Sequence, residues 1–243
     1  MIKKTKIVDA VGIGKVSSEE AKSNSTSDIN GTKPISIPID FTAFDVFMRC
    51  IKRAENLINF HSEDKNPEEE HFCDAYRASV VLTIAALDAY TRTVAIIKIK
   101  EKLKRKPKQT DPLCIYIKTI MTHETLLECA MNDNFFFQIE TEIANDFQKK
   151  SFQGERKISH YMELAGYKNV FGMVSKKDNS NEHNLKTKID DFTKRRHTIA
   201  HGGDYDINQI PYKEFEIKKD YAVECHKIVS NFTKTLNEIC FKK

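Results

Sequence analysis

The sequence predicts an all-α fold, an antiparallel bundle of long helices, on three observations. Only 8 glycines and 6 prolines interrupt 243 residues, and so few breakers favour long helices over many short strands and turns. From Ile39 onward, apolar residues recur three and four apart, the period of a helix with one buried face. The chain is 40% hydrophobic with 15 Phe, enough to build a core, which excludes disorder of the whole.

The elements follow in order. Residues 1–38 form a flexible extension, because Ser17 to Lys33 is rich in Ser, Asn, Thr, Asp and Lys and has almost nothing to bury. Gly12-Ile13-Gly14-Lys15 resembles a phosphate loop only superficially, since Val16 stands where a hydroxyl is needed. The helical domain then spans 39–243. Phe41, Phe44, Phe47, Met48, Ile51, Leu57 and Ile58 mark the stripe of a first helix. Asn66-Pro67 breaks the chain before an acidic start, Glu68-Glu69-Glu70, which suits the positive end of a helix dipole. Phe72 to about Leu103 has no Gly or Pro, an apolar centre from Ala78 to Ala89, and a basic tract, Lys98 to Lys108, at its C-terminal end.

Pro107 and Pro112 bracket a connection. Leu113 to Met131 reads as a third helix and Phe135 to Lys149 as a fourth, separated by the turn residues Asn132-Asp133-Asn134. Gly154, Gly166 and Gly172 punctuate a less regular region, and Asp178 to His183 is polar loop. Leu185, Ile189, Phe192 and Ile199 form a helical stripe that Gly202-Gly203 stops. Asp204 to Tyr212 reads as loop, and Glu214 to Phe241 as a long final helix.

The formal charge is +4, from 39 basic and 35 acidic residues. This permits nucleic-acid binding without demanding it. The six cysteines are scattered singly and read as thiols in a reducing compartment, not as a disulfide framework or a zinc site. Met1 to Val16 is basic but carries Asp9 and Lys15 in a short apolar stretch, so it does not read as a signal peptide. No run approaches the length needed to cross a membrane. A cytoplasmic protein is expected.

The residues best suited to chemistry are Arg195-Arg196-His197-Thr198-Ile199-Ala200-His201-Gly202-Gly203. Guanidinium binds phosphate oxygens in a forked geometry, and imidazole exchanges protons near neutral pH. RNA supplies its own nucleophile, the ribose 2′-OH, so these groups could cut it without a metal or other cofactor. With eight Arg and eight His in the chain, the spacing of Arg196 and His201 is close to what chance supplies. The context carries the signal: an amphipathic helix, an aliphatic-Ala pair before the histidine, and a glycine stop after it.

The alternatives are concrete. Arg195 and Arg196 could be a solvated helix end paired with Asp190 or Asp191, and His201 a cap. His197 and His201 have zinc-ligand spacing, but Thr198 replaces the Glu of H-E-x-x-H and no third ligand follows. The Lys98–Lys108 tract could guide RNA phosphates, and Phe135 to Phe137 could stack bases. Arg196 and His201 also lie about 140° apart on a continuous helix. Sharing a face requires the helix to end near Ala200, or a second subunit.

Arg196-His197-x-Ile199-Ala200-His201-Gly202 resembles the R-x4-6-H signature of HEPN domains. The double-Arg start and the Gly-Asp that follows are most similar to the RiboL-PSP-HEPN type, and Asp88-Ala89-Tyr90 on the earlier long helix resembles its acidic-x-aromatic feature. The resemblance implies a HEPN-type helical bundle that dimerises with two motifs facing each other. It implies a metal-independent endoribonuclease of toxin or anti-phage systems, with an antitoxin or defence partner. It also implies catalytic roles for Arg196 and His201 with His197 assisting, and supporting roles for Arg195 and for Asp88, which would orient Arg196. A HEPN module that only binds RNA or a partner protein is the other reading.

Overall fold

A computed structural model describes residues 42–60, 70–131, 135–206 and 208–241. The expected extension at 1–38 lies outside the described residues, as do the break at Asn66-Pro67 and the turn at 132–134. Among the described residues there are nine helices and one two-stranded hairpin, so the all-α class holds.

The first helix, α1 (Ala43–Ile58), starts where Thr42 and Asp45 cap each other's backbone N–H groups, a reciprocal box that satisfies two otherwise orphaned donors. Its Phe47, Ile51, Ala54 and Ile58 are buried against α2 (Glu70–Lys104), a 35-residue helix that forms the spine of the fold. Val80, Ile84, Leu87 and Val94 of α2 are wholly buried, and α8 (Glu182–Gly202) and α9 (Lys219–Phe241) also pack on it. By length and composition α2 can cross a membrane from Phe72 to Lys104, and half of its most apolar window is buried inside the fold. The expectation that no run reaches spanning length is therefore corrected. The apolar run of α2 resumes beyond Ala89, from Val94 to Ile99.

Between these helices the chain is more regular than its sequence suggests. The expected third helix is two, α3 (Pro112–Ile120) and α4 (His123–Met131), because Met121 is extended and the Thr122 hydroxyl accepts from the Thr125 N–H. The helix α5 (Phe135–Gln148) follows. The supposedly irregular glycine region holds α6 (Glu155–Leu164) and α7 (Val170–Asp178). Gly154, at φ +84°, caps α6, and Asn169 and Asn179, both left-handed, bound α7. The punctuation marks helix ends rather than loop. Helix α8 reaches back to Glu182, with the Asn181 side chain accepting from the Asn184 N–H. Part of the expected 204–212 loop pairs instead: β1 (Tyr205–Asp206) runs antiparallel to β2 (Lys213–Glu214), Tyr205 opposite Glu214 and Asp206 opposite Lys213. Consequently α9 begins at Lys219, later than the hydrophobic period implied.

Candidate functional site

The motif occupies the last turns of α8, whose inward face carries the buried Ile189 and Phe192. The helix does not stop near Ala200. It continues through His201 to Gly202, and Gly203, left-handed at φ +59°, closes it by donating its N–H to the Thr198 carbonyl. The helix period then decides where each side chain goes. Arg195 and Arg196 flank the inward face, whereas His197 and His201 lie almost opposite it and are exposed. The two imidazoles stand side by side, their ring centres 4.4 Å apart. Arg196 and His201 remain about 140° apart around the axis, so one copy of the chain does not bring them onto one face.

The two arginines have different surroundings. Arg195 donates to the Asp204 carboxylate at 2.6 Å and to the carbonyls of Phe215 and Glu216 at 3.2 and 3.0 Å. Its guanidinium also lies over the rings of Phe215 and Tyr221. Arg196 is half-buried and forms no hydrogen bond or ion pair among the described residues; like Arg195, it keeps a buried Nε–H without an acceptor. A buried donor of this kind is unfavourable until an acceptor arrives. Neither arginine pairs with Asp190 or Asp191: Asp190 accepts the Glu155 N–H at 2.6 Å, and Asp191 faces Lys194.

Asp204, expected in a loop, directly follows the glycine cap of α8. It is fully buried, adopts a left-handed φ of +68°, and accepts from Arg195 and, at 2.9 Å, from Arg77 of α2. Its backbone ties both ends together, with Asp204 N–H on the Thr198 carbonyl and Phe215 N–H on the Asp204 carbonyl. Arg77, itself buried, also reaches Asp74 and Glu214 and the Phe215 carbonyl. Burial works against the charge of Arg77, but the carboxylates of Asp204, Glu214 and Asp74 outweigh it and raise its pKa. Two cations around one buried anion thus lock the end of α8 to α2 and to the hairpin. An arginine amid the apolar run of α2 and an aspartate directly after the glycine stop were the available signals.

Asp88 makes no hydrogen bond or ion pair with Arg196 among the described residues. Its carboxylate accepts from Arg92 and from the Phe152 N–H, each at 2.5 Å, because it lies three turns along α2 from Arg77 and faces the loop before α6. The basic tract is partly spent inside the fold: Lys98 pairs with Glu101, Lys100 with Glu140 and Lys102 with Asp111. Of the three consecutive phenylalanines, Phe135 is partly buried and Phe136 and Phe137 are exposed. No group of three His, Cys, Asp or Glu is placed to hold a metal among the described residues.

A family model described as RiboL-PSP-HEPN matches residues 49–240, from within α1 almost to the end of α9. The chain belongs to the RiboL-PSP-HEPN family. The matched span contains the motif helix, the Arg77–Asp204–Arg195 lock and the spine helix. HEPN domains are associated with ribonuclease activity or RNA binding, which fits the free guanidinium and paired imidazoles on this HEPN domain. No curated protein and no solved structure matches the chain.

Proposed function

We propose that this HEPN protein is a metal-independent endoribonuclease that works as a homodimer. The observation that carries the proposal is the division within the motif. Arg195 is held by Asp204 and two backbone carbonyls, while the Arg196 guanidinium forms no hydrogen bond or ion pair among the described residues, and two exposed imidazoles lie in contact with each other on the same helix end. Arg196 binds the scissile phosphate and stabilises the charge of the phosphorane. One imidazole, His201, takes the 2′-OH proton as that oxygen attacks phosphorus. The P–O5′ bond breaks, and a second imidazole, His197 or a histidine of the facing copy, protonates the leaving 5′-oxygen. The products are a 2′,3′-cyclic phosphate and a 5′-OH.

The angle between Arg196 and His201 is the reason for the second copy: a facing motif supplies the group that one helix points elsewhere. The family resemblance supports a toxin or anti-phage defence setting, in a reducing cytoplasm, with an antitoxin partner holding the enzyme in check. The same angle favours a second reading, a module that binds RNA or a partner protein through Arg196 without cutting.

RNA incubated with the protein in EDTA separates the two. The ribonuclease reading expects cyclic-phosphate ends from the wild type and none from a folded His201→Ala variant. Equal cutting by that variant overturns the assignment of His201. Binding that needs Arg196, with no cutting of any RNA, establishes the second reading.

A further inference from the structure

On the α9 side of the motif a cleft of ≈ 550 Å³ is lined by Arg195, Glu216, Lys218, Asp220, Tyr221 and Glu224. That volume is in the range of small-molecule sites and exceeds what one nucleobase needs. We infer that this cleft seats the base of a nucleotide flanking the scissile phosphate and prefers guanine, an inference that rests on the ribonuclease reading.

The location follows from Arg195. It is the chain neighbour of the free Arg196, and it forms one wall of the cleft while Asp204 and the 215–216 carbonyls hold it still. The cleft wall therefore stands one residue along α8 from the proposed phosphate site.

The lining chemistry excludes phosphate and admits a base. Three carboxylates face one lysine and an arginine that Asp204 already neutralises. Glu216 pairs with Lys218 at 3.1 Å and Glu224 with Lys188 at 2.8 Å, both near the surface, where such pairs exchange readily with solvent and ligands. Asp220 forms no ion pair among the described residues. Tyr221 supplies an aromatic wall, with Phe192 at right angles to it, ring centres 5.4 Å apart, and the Arg195 guanidinium 5.9 Å over its ring; a base stacks on an aromatic ring or on a guanidinium plane alike.

Carboxylates then choose among the bases. Guanine alone presents two adjacent donors, N1–H and N2–H2, matched to the two oxygens of a carboxylate, and its O6 and N7 accept from a cation. Uracil presents two carbonyls around a single N–H, which carboxylates repel. Cytosine and adenine offer one amino group beside an unprotonated ring nitrogen. A bidentate pair at the weak end of its range gives about a fivefold preference for guanine over uracil.

Two measurements on the full chain test the inference. The first titrates the protein with guanosine and uridine 5′-monophosphates, so that the phosphate contribution cancels. The second reads the bases flanking the cut sites in a random RNA pool. Guanosine monophosphate should bind about fivefold more tightly than uridine monophosphate, and cut sites should be enriched for a flanking guanine. In the Asp220→Asn/Glu224→Gln variant both preferences should largely vanish while cutting continues. Equal binding of the two nucleotides, or a guanine preference that survives the double substitution, overturns the inference. Selective guanosine binding without RNA cutting keeps the cleft and removes the ribonuclease reading. Cutting without any guanine preference does the reverse.

Discussion

Replacing Asp204 by Ala tests the lock that positions the motif. Asp204 is wholly buried, and one of its oxygens accepts from Arg77 at 2.9 Å and from Arg195 at 2.6 Å. Removing one partner from a buried ion pair costs about 3–5 kcal/mol, because the remaining charge is left without compensation. Two features move this case to the low end. Arg77 retains Asp74 and Glu214, and Arg195 retains two carbonyls and a side chain that is 19% exposed. A loss of about 3 kcal/mol follows, which for a domain of this size lowers Tm by about 6–12 °C. Thermal unfolding at neutral pH, with urea unfolding to show an unchanged m value, measures it. Asp204→Asn, which keeps the left-handed backbone that Asn tolerates and the hydrogen bonds but removes the charge, should cost less than Asp204→Ala. A Tm for Asp204→Ala within about 2 °C of wild type would refute the lock.

Three further outcomes are expected. His201 is exposed on the outward face of α8, so His201→Ala should change stability by less than about 0.5 kcal/mol in urea unfolding; a larger change would mean that lost cutting reflects lost fold. Gly203→Ala should cost about 1–2 kcal/mol from its left-handed φ of +59° alone, because the added Cβ meets Tyr205 at an ordinary 3.6 Å. Gly202→Ala, helical and open on every side, should stabilise by up to about 1 kcal/mol, and the same sign at both positions in thermal scans would contradict the cap. Burial pushes the Asp111 carboxyl up, but the Lys102 ammonium and the Leu113 N–H outweigh it and hold it below its ordinary value. A depressed folded pKa means stability that is present above the unfolded value, about 3.9, and lost as pH falls through the folded one. Urea unfolding at pH 7 and pH 3 should therefore show wild type losing more stability on acidification than Asp111→Asn, and equal losses would reject the pairing.

The motif itself was legible in the chain. Arg196, His197 and His201 stand out because phosphate and proton chemistry need those groups, and because two glycines follow them. The amphipathic stripes of α1, α8 and α9 were legible for the same kind of reason: a 3.6-residue period has one structural meaning once Gly and Pro are scarce. Helix ends were less so. Thr122, Asn169, Asn179 and Asn181 are capping residues whose reading as loop or cap depends on the backbone around them, and this hid α4 and α7 within longer or vaguer segments and the start of α8 within a loop.

What the sequence determined by itself was the helical class, the family resemblance and the chemical inventory of the motif, since these depend on periodicity and residue type along one stretch of chain. What only the tertiary structure decided was which arginine is free. Arg77 and Asp204 are 127 residues apart, and no local pattern states that they meet. Their pairing, together with the burial that makes it strong, holds Arg195 at Asp204, while Arg196 has no partner among the described residues. Long-range charge pairing in a low-dielectric interior sets those roles, and it exists only once the helices have packed.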